Sequence, residues 1–447
     1  MSGSPADGLP APRRYWVLAG LWIGMAMSVL DSAIVNIALP PMARDLMVSS
    51  ASTTWIVTAY QIAIVMTLLP VAALGERCGY HRVYLGGLIL FTLMSAGCAF
   101  ASRLDVLTAC RFAQGLGAAA MMGVNGAQMR FVWPKALLGR GIGYNALVIA
   151  GAAAAGPGLA GVILSFGNWP WLFLVNIPLG LIVLLLVIGF APDIAPVTRL
   201  FDWQSALLNA IMFGALFLTA SDVVHGGLSF WSVGQGLLGI MVGMLLVRRV
   251  RSVARPLIPL DLMGLGRLRR AYGASICAFA AQMCALVSLP FLMMHHLNVS
   301  AATVGLLILP FPVGLGLISP IAGGLAERNW SGLMSALGLC LMAAALMAMA
   351  SLLSSRPPLA ALVLAMALCG IGFGLFQAPN NRVMLVTAPL DRAGAAAGML
   401  SLCRLLGQTA GALMAALVLR FMESEAVVAL YMAACIALGA ACQARRR

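Results

Sequence analysis

Apolar runs separated by charged or turn-forming breaks give fourteen candidate helices along the chain. They lie near residues 15–39, 52–74, 83–101, 104–128, 141–165, 170–190, 203–221, 232–249, 270–293, 301–325, 332–353, 358–380, 394–418 and 425–443. A hydrocarbon core about 30 Å thick takes roughly 20 helical residues to cross, and these runs approach that length. The first follows Arg13 and Arg14, and no clear small-residue cleavage site comes after it, so it reads as a retained span.

The charges between the runs fit this count. With a cytoplasmic N-terminus, Arg13, Arg14, Arg77, Arg82, Arg130, Lys135, Arg140 and Arg199 all fall inside, as does the basic stretch from Arg248 to Arg270. Arg328, Arg382, Arg392 and Arg445 to Arg447 join them, which places twenty-one of 27 basic residues on one side. Removing or adding one span would scramble that alternation. The reading therefore puts both termini in the cytoplasm, and the bias toward arginine, alanine and glycine suggests a bacterial cytoplasmic membrane.

The pattern also repeats. Ala72-Ala73-Leu74-Gly75-Glu76-Arg77 follows the second run, and Gly323-Gly324-Leu325-Ala326-Glu327-Arg328 follows the tenth. A duplicated six-helix unit would match the second run to the eighth, so two helices stand between the halves. The predicted organisation is an all-α polytopic membrane protein with a six-helix half over 1–195, an inserted pair and linker over 196–255, and a second six-helix half over 256–447. Repeats of this kind place a substrate site at their interface near mid-membrane.

Composition agrees with a lipid solvent. The chain is 62% hydrophobic and 9% charged, against about 25% charged in a soluble domain. Its net charge of +14 reflects loop arginines as topology signals rather than nucleic-acid binding. Eight of the ten cysteines fall within runs and no CxxC pair occurs, so they read as small packing residues or reduced thiols. The lone lysine, Lys135, is followed by Ala136, which excludes a phosphate-cradling GK[ST] loop and with it ATP drive. His295 and His296 are adjacent, project from different helix faces and have no nearby carboxylate, so no metal or cofactor is expected. Nor is an enzymatic activity.

Charge within a span is costly and usually marks function. Asp31 is the only acid deep in a run, and Arg111 lies at a comparable depth in the fourth, so the two can meet. Asn36 and Gln114 lie about a turn from each. A fixed ion pair that only locks two helices is one reading; a carboxylate exchanging a proton is the other. Burial favours the neutral form of a carboxyl and a nearby cation favours the charged one, so a moving partner can switch it. Arg404, in the thirteenth run, has no acid at its depth; backbone carbonyls, Gln377, Gln408 or an anionic substrate group are its candidate partners. The run Gly151 to Gly161, containing Gly156-Pro157-Gly158, is expected to interrupt or bend the fifth helix and make a tight contact, as packing alone or between the halves.

Together these residues resemble the major facilitator superfamily, specifically its fourteen-span drug:proton antiporter branch. Leu30 to Pro40 is similar to that branch's first-span motif. Leu74 to Arg82 resembles the signature loop, with Glu76, Arg77, Gly79 and Arg82 in place, although the usual aspartate is Glu76 and its leading glycine is Ala72. Cys110 to Gly117 is similar to the fourth-span motif, whose arginine (here Arg111) is implicated in proton coupling. Gly156 to Gly161 resembles the fifth-span antiporter motif, and Trp169 to Pro178 the start of the sixth span.

The resemblance implies proton-coupled export of small lipophilic or cationic compounds by alternating access, by a monomer embedded in the bilayer. Asp31 and Arg111 would couple the proton, and Asn36, Gln114, Gln377, Arg404 and Gln408 would face substrate. Glu76, Arg77, Gly79, Arg82, Glu327 and Arg328 would form gating loops, with Glu76 pairing with Arg130 or a helix N-terminus in one conformation. Gly156, Pro157 and Gly161 would bend. A same-fold carrier of one metabolite or amino acid, with Arg404 reading an anionic group, is the alternative. A membrane sensor or scaffold would need a signalling domain that the sequence does not show.

Overall fold

A computed structural model describes residues 8–48, 50–192, 201–225, 229–250, 260–297, 301–326, 331–353, 358–421 and 427–445. The described residues form α-helices and two short 3-10 turns, as lipid requires. Within a bilayer every backbone N–H and C=O must be bonded internally, and a helix does this within one segment. Ten helices are long and apolar enough to cross a membrane, and two shorter apolar helices accompany them.

The chain first forms α1 (Arg13–Asp45), α2 (Ser50–Cys78), α3 (Tyr80–Ala99), α4 (Leu104–Val132) and α5 (Leu138–Phe166). The first helix runs six residues past its expected end near 39. Gly79 separates α2 from α3 with φ +94°, a conformation that side chains with a Cβ rarely adopt. The sixth apolar run is divided at Val175 into α6 (Trp171–Leu174) and α7 (Asn176–Phe190). Pro178 cannot donate to the carbonyl of Leu174, so the ladder breaks there. Next come α8 (Trp203–His225) and α9 (Phe230–Val250), then the short α10 (Leu260–Met263) and α11 (Gly266–Leu297).

The tenth run is likewise divided, into α12 (Ala301–Ile308) and α13 (Pro310–Leu325), where Pro312 withholds a donor from Ile308. The described chain closes with α14 (Ser331–Leu353), α15 (Leu359–Thr387), α16 (Ala393–Phe421) and α17 (Val428–Arg445).

Helices α1 to α7 pack mainly among themselves, and α11 to α17 do the same. The two sets meet through α5 with α13 and through α16 with α2 and α4. The bundle has two ends, one marked by Glu76 and one by Asp45. At the Glu76 end the sets approach so closely that only glycine fits. A Cβ on Gly139 of α5 would meet the carbonyl oxygen of Gly323 of α13 at 2.2 Å, and one on Gly143 would meet that of Ser319 at 2.4 Å. A buried apolar cluster containing Tyr80, Val124, Met384, Ala393 and Ala397 joins the two sets at this same end.

The glycine run does not interrupt α5, and its tight contact is one of packing against α1 rather than between the halves. The helix continues unbroken from Leu138 through 156–161 to Phe166. Gly156 lies against Ala33 of α1, where a Cβ would come within 2.6 Å, while Gly158 and Gly161 face nothing within 4 Å. In this conformation α5 makes its close contact with the second set through Gly139 and Gly143 instead. The side chain of Pro157 lies outside the described ones.

Candidate functional site

The site starts from a small residue. Gly115 of α4 lets that helix lie directly on α2, since a Cβ there would meet the Tyr60 carbonyl oxygen at 2.5 Å. One turn away, Arg111 is thereby held beside α2: its Nε donates to the Ile56 carbonyl at 3.1 Å, and its guanidinium lies 4.2 Å from the centre of the Tyr60 ring. The Phe173 ring is 5.6 Å away on another side. Tyr60 is itself fixed by donating its hydroxyl hydrogen to the Ser28 carbonyl at 3.1 Å.

Arg111 Nη1 forms an ion pair with Asp31 Oδ2 of α1 and also donates to Gln114 Oε1 at 2.6 Å. The other carboxylate oxygen accepts from Gln114 Nε2 and from Asn176 Nδ2, each at 3.0 Å. Gln114 Nε2 also reaches Ser95 Oγ of α3 at 2.8 Å. Five helices thus contribute to one polar cluster, with donors from α4 and α7 on a carboxylate that is 2% exposed beside an arginine at 0%. Charge-assisted bonds of this type are roughly twice as strong as neutral ones, and inside protein they are screened little. The cluster gives the buried carboxylate three side-chain donors, one of them its counter-ion.

Asp31 and Arg111 therefore meet as the sequence allowed, and Gln114, expected to face substrate, is fully buried and bonded within the same cluster. The side chain of Asn36 lies outside the described ones. Asn176, Tyr60 and Ser95 belong to the cluster although the sequence reading assigned them no role there. Asn176 was legible only as part of the Trp169 to Pro178 motif, and nothing local marks the other two.

In the second set, Arg404 sits on α16 between Gly398, which meets Ala72 of α2, and Gly407, which meets Phe279 of α11. It is half-buried and has no hydrogen bond or ion pair among the described residues. Gln408, one turn on, is also half-buried. Gln377 of α15 is buried, with an Oε1 that has no partner among the described residues. None of the three is brought onto the Asp31 cluster.

At the Glu76 end the signature loop crosses between the sets. Glu76 Oε1 accepts the backbone N–H of Ala395 at 2.8 Å, in the first turn of α16, where unpaired amides and the helix dipole favour a negative charge. Its Oε2 lies 3.8 Å from Arg392 Nη1. The Tyr80 hydroxyl oxygen accepts from Gly394 N–H at 3.0 Å. Of the two expected partners for Glu76, the helix N-terminus is the one found. Arg130 instead donates to the Ala388 and Pro389 carbonyls, at 2.8 and 3.4 Å, just past the end of α15. Gly79 supplies the turn, Arg77 and Arg82 are exposed, and Glu327 and Arg328 lie outside the described residues.

A two-set helical bundle closed at one end around such a loop matches a known pattern in sequence as well. The profile of the Major Facilitator Superfamily matches residues 21–247 and 271–444. The chain belongs to that family. It is a multi-span membrane transporter of small molecules and not an enzyme. It is 44% identical over 441 residues to the uncharacterized transporter YebQ of Escherichia coli, covering 98% of this chain and 96% of that one. It is 29% identical over 396 residues to the riboflavin transporter RibZ of Clostridioides difficile, covering 88% and 85%. It is 31% identical over 398 residues to the multidrug resistance protein Stp of Mycobacterium tuberculosis, covering 87% and 73%.

Proposed function

We propose that this chain exports small lipophilic or cationic compounds in exchange for protons, by alternating access, with Asp31 as the proton site. The observation that carries this reading is the buried Asp31 carboxylate, whose donors come from two other helices, α4 and α7. A displacement of α1 against α4 separates Asp31 from Arg111 and Gln114; burial then favours the protonated form. Return of the donors expels the proton. Arg111 tunes this exchange, and Gln114 and Asn176 keep the carboxylate oriented.

The fold is read as fourteen spans. Twelve correspond to the ten long apolar helices and to α8 and α17, and the others are α4 and α16, whose polarity comes with Arg111 and Arg404. The divisions at 195 and 255 bound the two halves and the inserted pair. The Glu76 end is cytoplasmic, both termini lie on that side of a bacterial inner membrane, and the protein works as a monomer. The conformation described is one in which that end is closed. Glu76 on the first turn of α16 and Arg130 on the last carbonyls of α15 are the contacts that must break for the inner face to open.

Arg404, Gln377 and Gln408 are assigned to the substrate path. The unpaired Arg404 favours a second reading, a carrier for one metabolite with an anionic group.

Purified protein in liposomes, under an imposed pH gradient, is expected to move protons when a lipophilic cation is added. Absence of flux from the wild type rejects antiport of such compounds. Flux that persists in Asp31→Asn rejects Asp31 as the coupling residue while leaving the transporter class intact.

A further inference from the structure

The second gating contact of α2 lies not at its end but in its middle. Pro70 interrupts the hydrogen-bond ladder of this helix. Proline has no amide hydrogen, so the carbonyl of Met66, four residues earlier, receives no donor from its own helix. In water a solvent molecule fills such a gap; in hydrocarbon it stays costly unless another part of the protein supplies the donor.

The donor comes from the inserted pair. Asn209 Nδ2 of α8 donates to the Met66 carbonyl at 2.9 Å, and Asn209 is fully buried. Five residues on, Gly214 lies against the Met66 side chain, where a Cβ would meet Sδ at 3.1 Å. Asparagine is a poor helix former and an expensive group to bury within a span. Here it is matched to the one carbonyl that the neighbouring proline leaves bare.

Pro70 also divides α2 into two working parts. Toward the Asp45 end, the Ile56 carbonyl and the Tyr60 ring hold Arg111. Toward the Glu76 end, Ala72 meets Gly398 of α16, and Glu76 bonds to Ala395. Proline is where a helix bends, so the angle at Pro70 sets how these two parts stand to each other.

We propose that Asn209 is a positioning residue that, through the Met66 carbonyl, fixes how the two parts of α2 stand to each other while the Glu76 end is closed, so that the inserted α8–α9 pair sets how readily that end opens. The proposal rests on the alternating-access reading. The bond is made in the closed state; a swing of the lower part of α2 draws the Met66 carbonyl away from Nδ2 and loses it. The inserted pair thereby acts as a fixed rib beside a moving helix, with no contact to substrate.

The test uses the full chain in lipid nanodiscs and follows hydrogen exchange of the peptide containing Gly394 and Ala395, whose amides are bonded across the closed end. Asn209→Leu removes the donor at similar volume and is expected to speed that exchange about fivefold, the factor carried by one net hydrogen bond. Pro70→Ala restores the helix's own N–H, so the same Asn209→Leu change on a Pro70→Ala chain is expected to leave exchange within about twofold, allowing for ordinary mutational scatter. Equal acceleration on both chains means Asn209 only packs, and no acceleration on the Pro70 chain means it does not hold the bend; either result overturns the proposal. If Asn209→Leu does not accumulate, recovery of folded protein by adding Pro70→Ala supports it, and lack of recovery overturns it. Glu76→Gln serves as the control. If it fails to speed exchange, the gate itself is wrong and this proposal falls with it, whereas failure of Asn209 alone leaves the gate standing.

Discussion

Arg111 and Arg404 are both intramembrane arginines, carried by α4 and α16, yet their surroundings differ completely. Arg111 is sealed from solvent, bonded to Asp31, Gln114 and a backbone carbonyl, and stacked on Tyr60. Arg404 is half-buried and, among the described residues, has no partner. The two helix sets therefore differ in the chemistry that surrounds their intramembrane arginines. One half holds a buried ion pair within a polar cluster, and the other carries an arginine with no bonded partner among the described residues.

The sharpest way to break that contrast is to delete each arginine in turn. Arg111→Leu leaves the Asp31 charge buried and uncompensated, a defect that typically costs about 3–5 kcal/mol. Arg404→Leu removes no existing bond and is expected to change stability by no more than about 1 kcal/mol. Thermal unfolding midpoints in one detergent read both, and equal losses would show that Arg404 is as tightly held as Arg111.

A smaller effect tests whether Asn176 is part of the cluster or only adjacent to it. Asn176→Leu takes one donor from Asp31 Oδ1 and is expected to cost about 1–3 kcal/mol. A change near zero would assign the orientation of the carboxylate to Gln114 alone.

The smallest stability effect is expected from a double change. Replacing both partners of a buried ion pair by apolar groups is often nearly neutral, so Asp31→Leu with Arg111→Leu should recover most of the loss seen for Arg111→Leu. The double variant should still carry no substrate-driven proton flux, which separates the structural share of the pair from its coupling role. A double variant as unstable as the single one would mean that Arg111 is held mainly by Ile56 and Tyr60.

Much of this was legible in the chain. Apolar runs alone describe a multi-span helical membrane protein without any tertiary information. The reason is local: helix formation and residence in lipid depend on residues a few positions apart. Asp31 and Arg111 were also visible, because a charge within an apolar run stands out against its neighbours.

Less legible was which groups each of them meets. The partners of Asp31 lie 80 to 145 positions away in sequence, and only the rotation and crossing of α1, α4 and α7 bring them together. Glu76 shows the same limit, since its charge was readable but the choice of the α16 amides over Arg130 was not. The Gly156 run advertised close packing, yet the closest approach between the halves fell to Gly139 and Gly143, because two helices that cross can touch tightly over only part of their length. Pro70 is the plainest case. The sequence by itself determined that one carbonyl of α2 would lack its donor, while only the tertiary structure decided that Asn209 supplies it, because a missing bond is a property of one helix and its replacement a property of two.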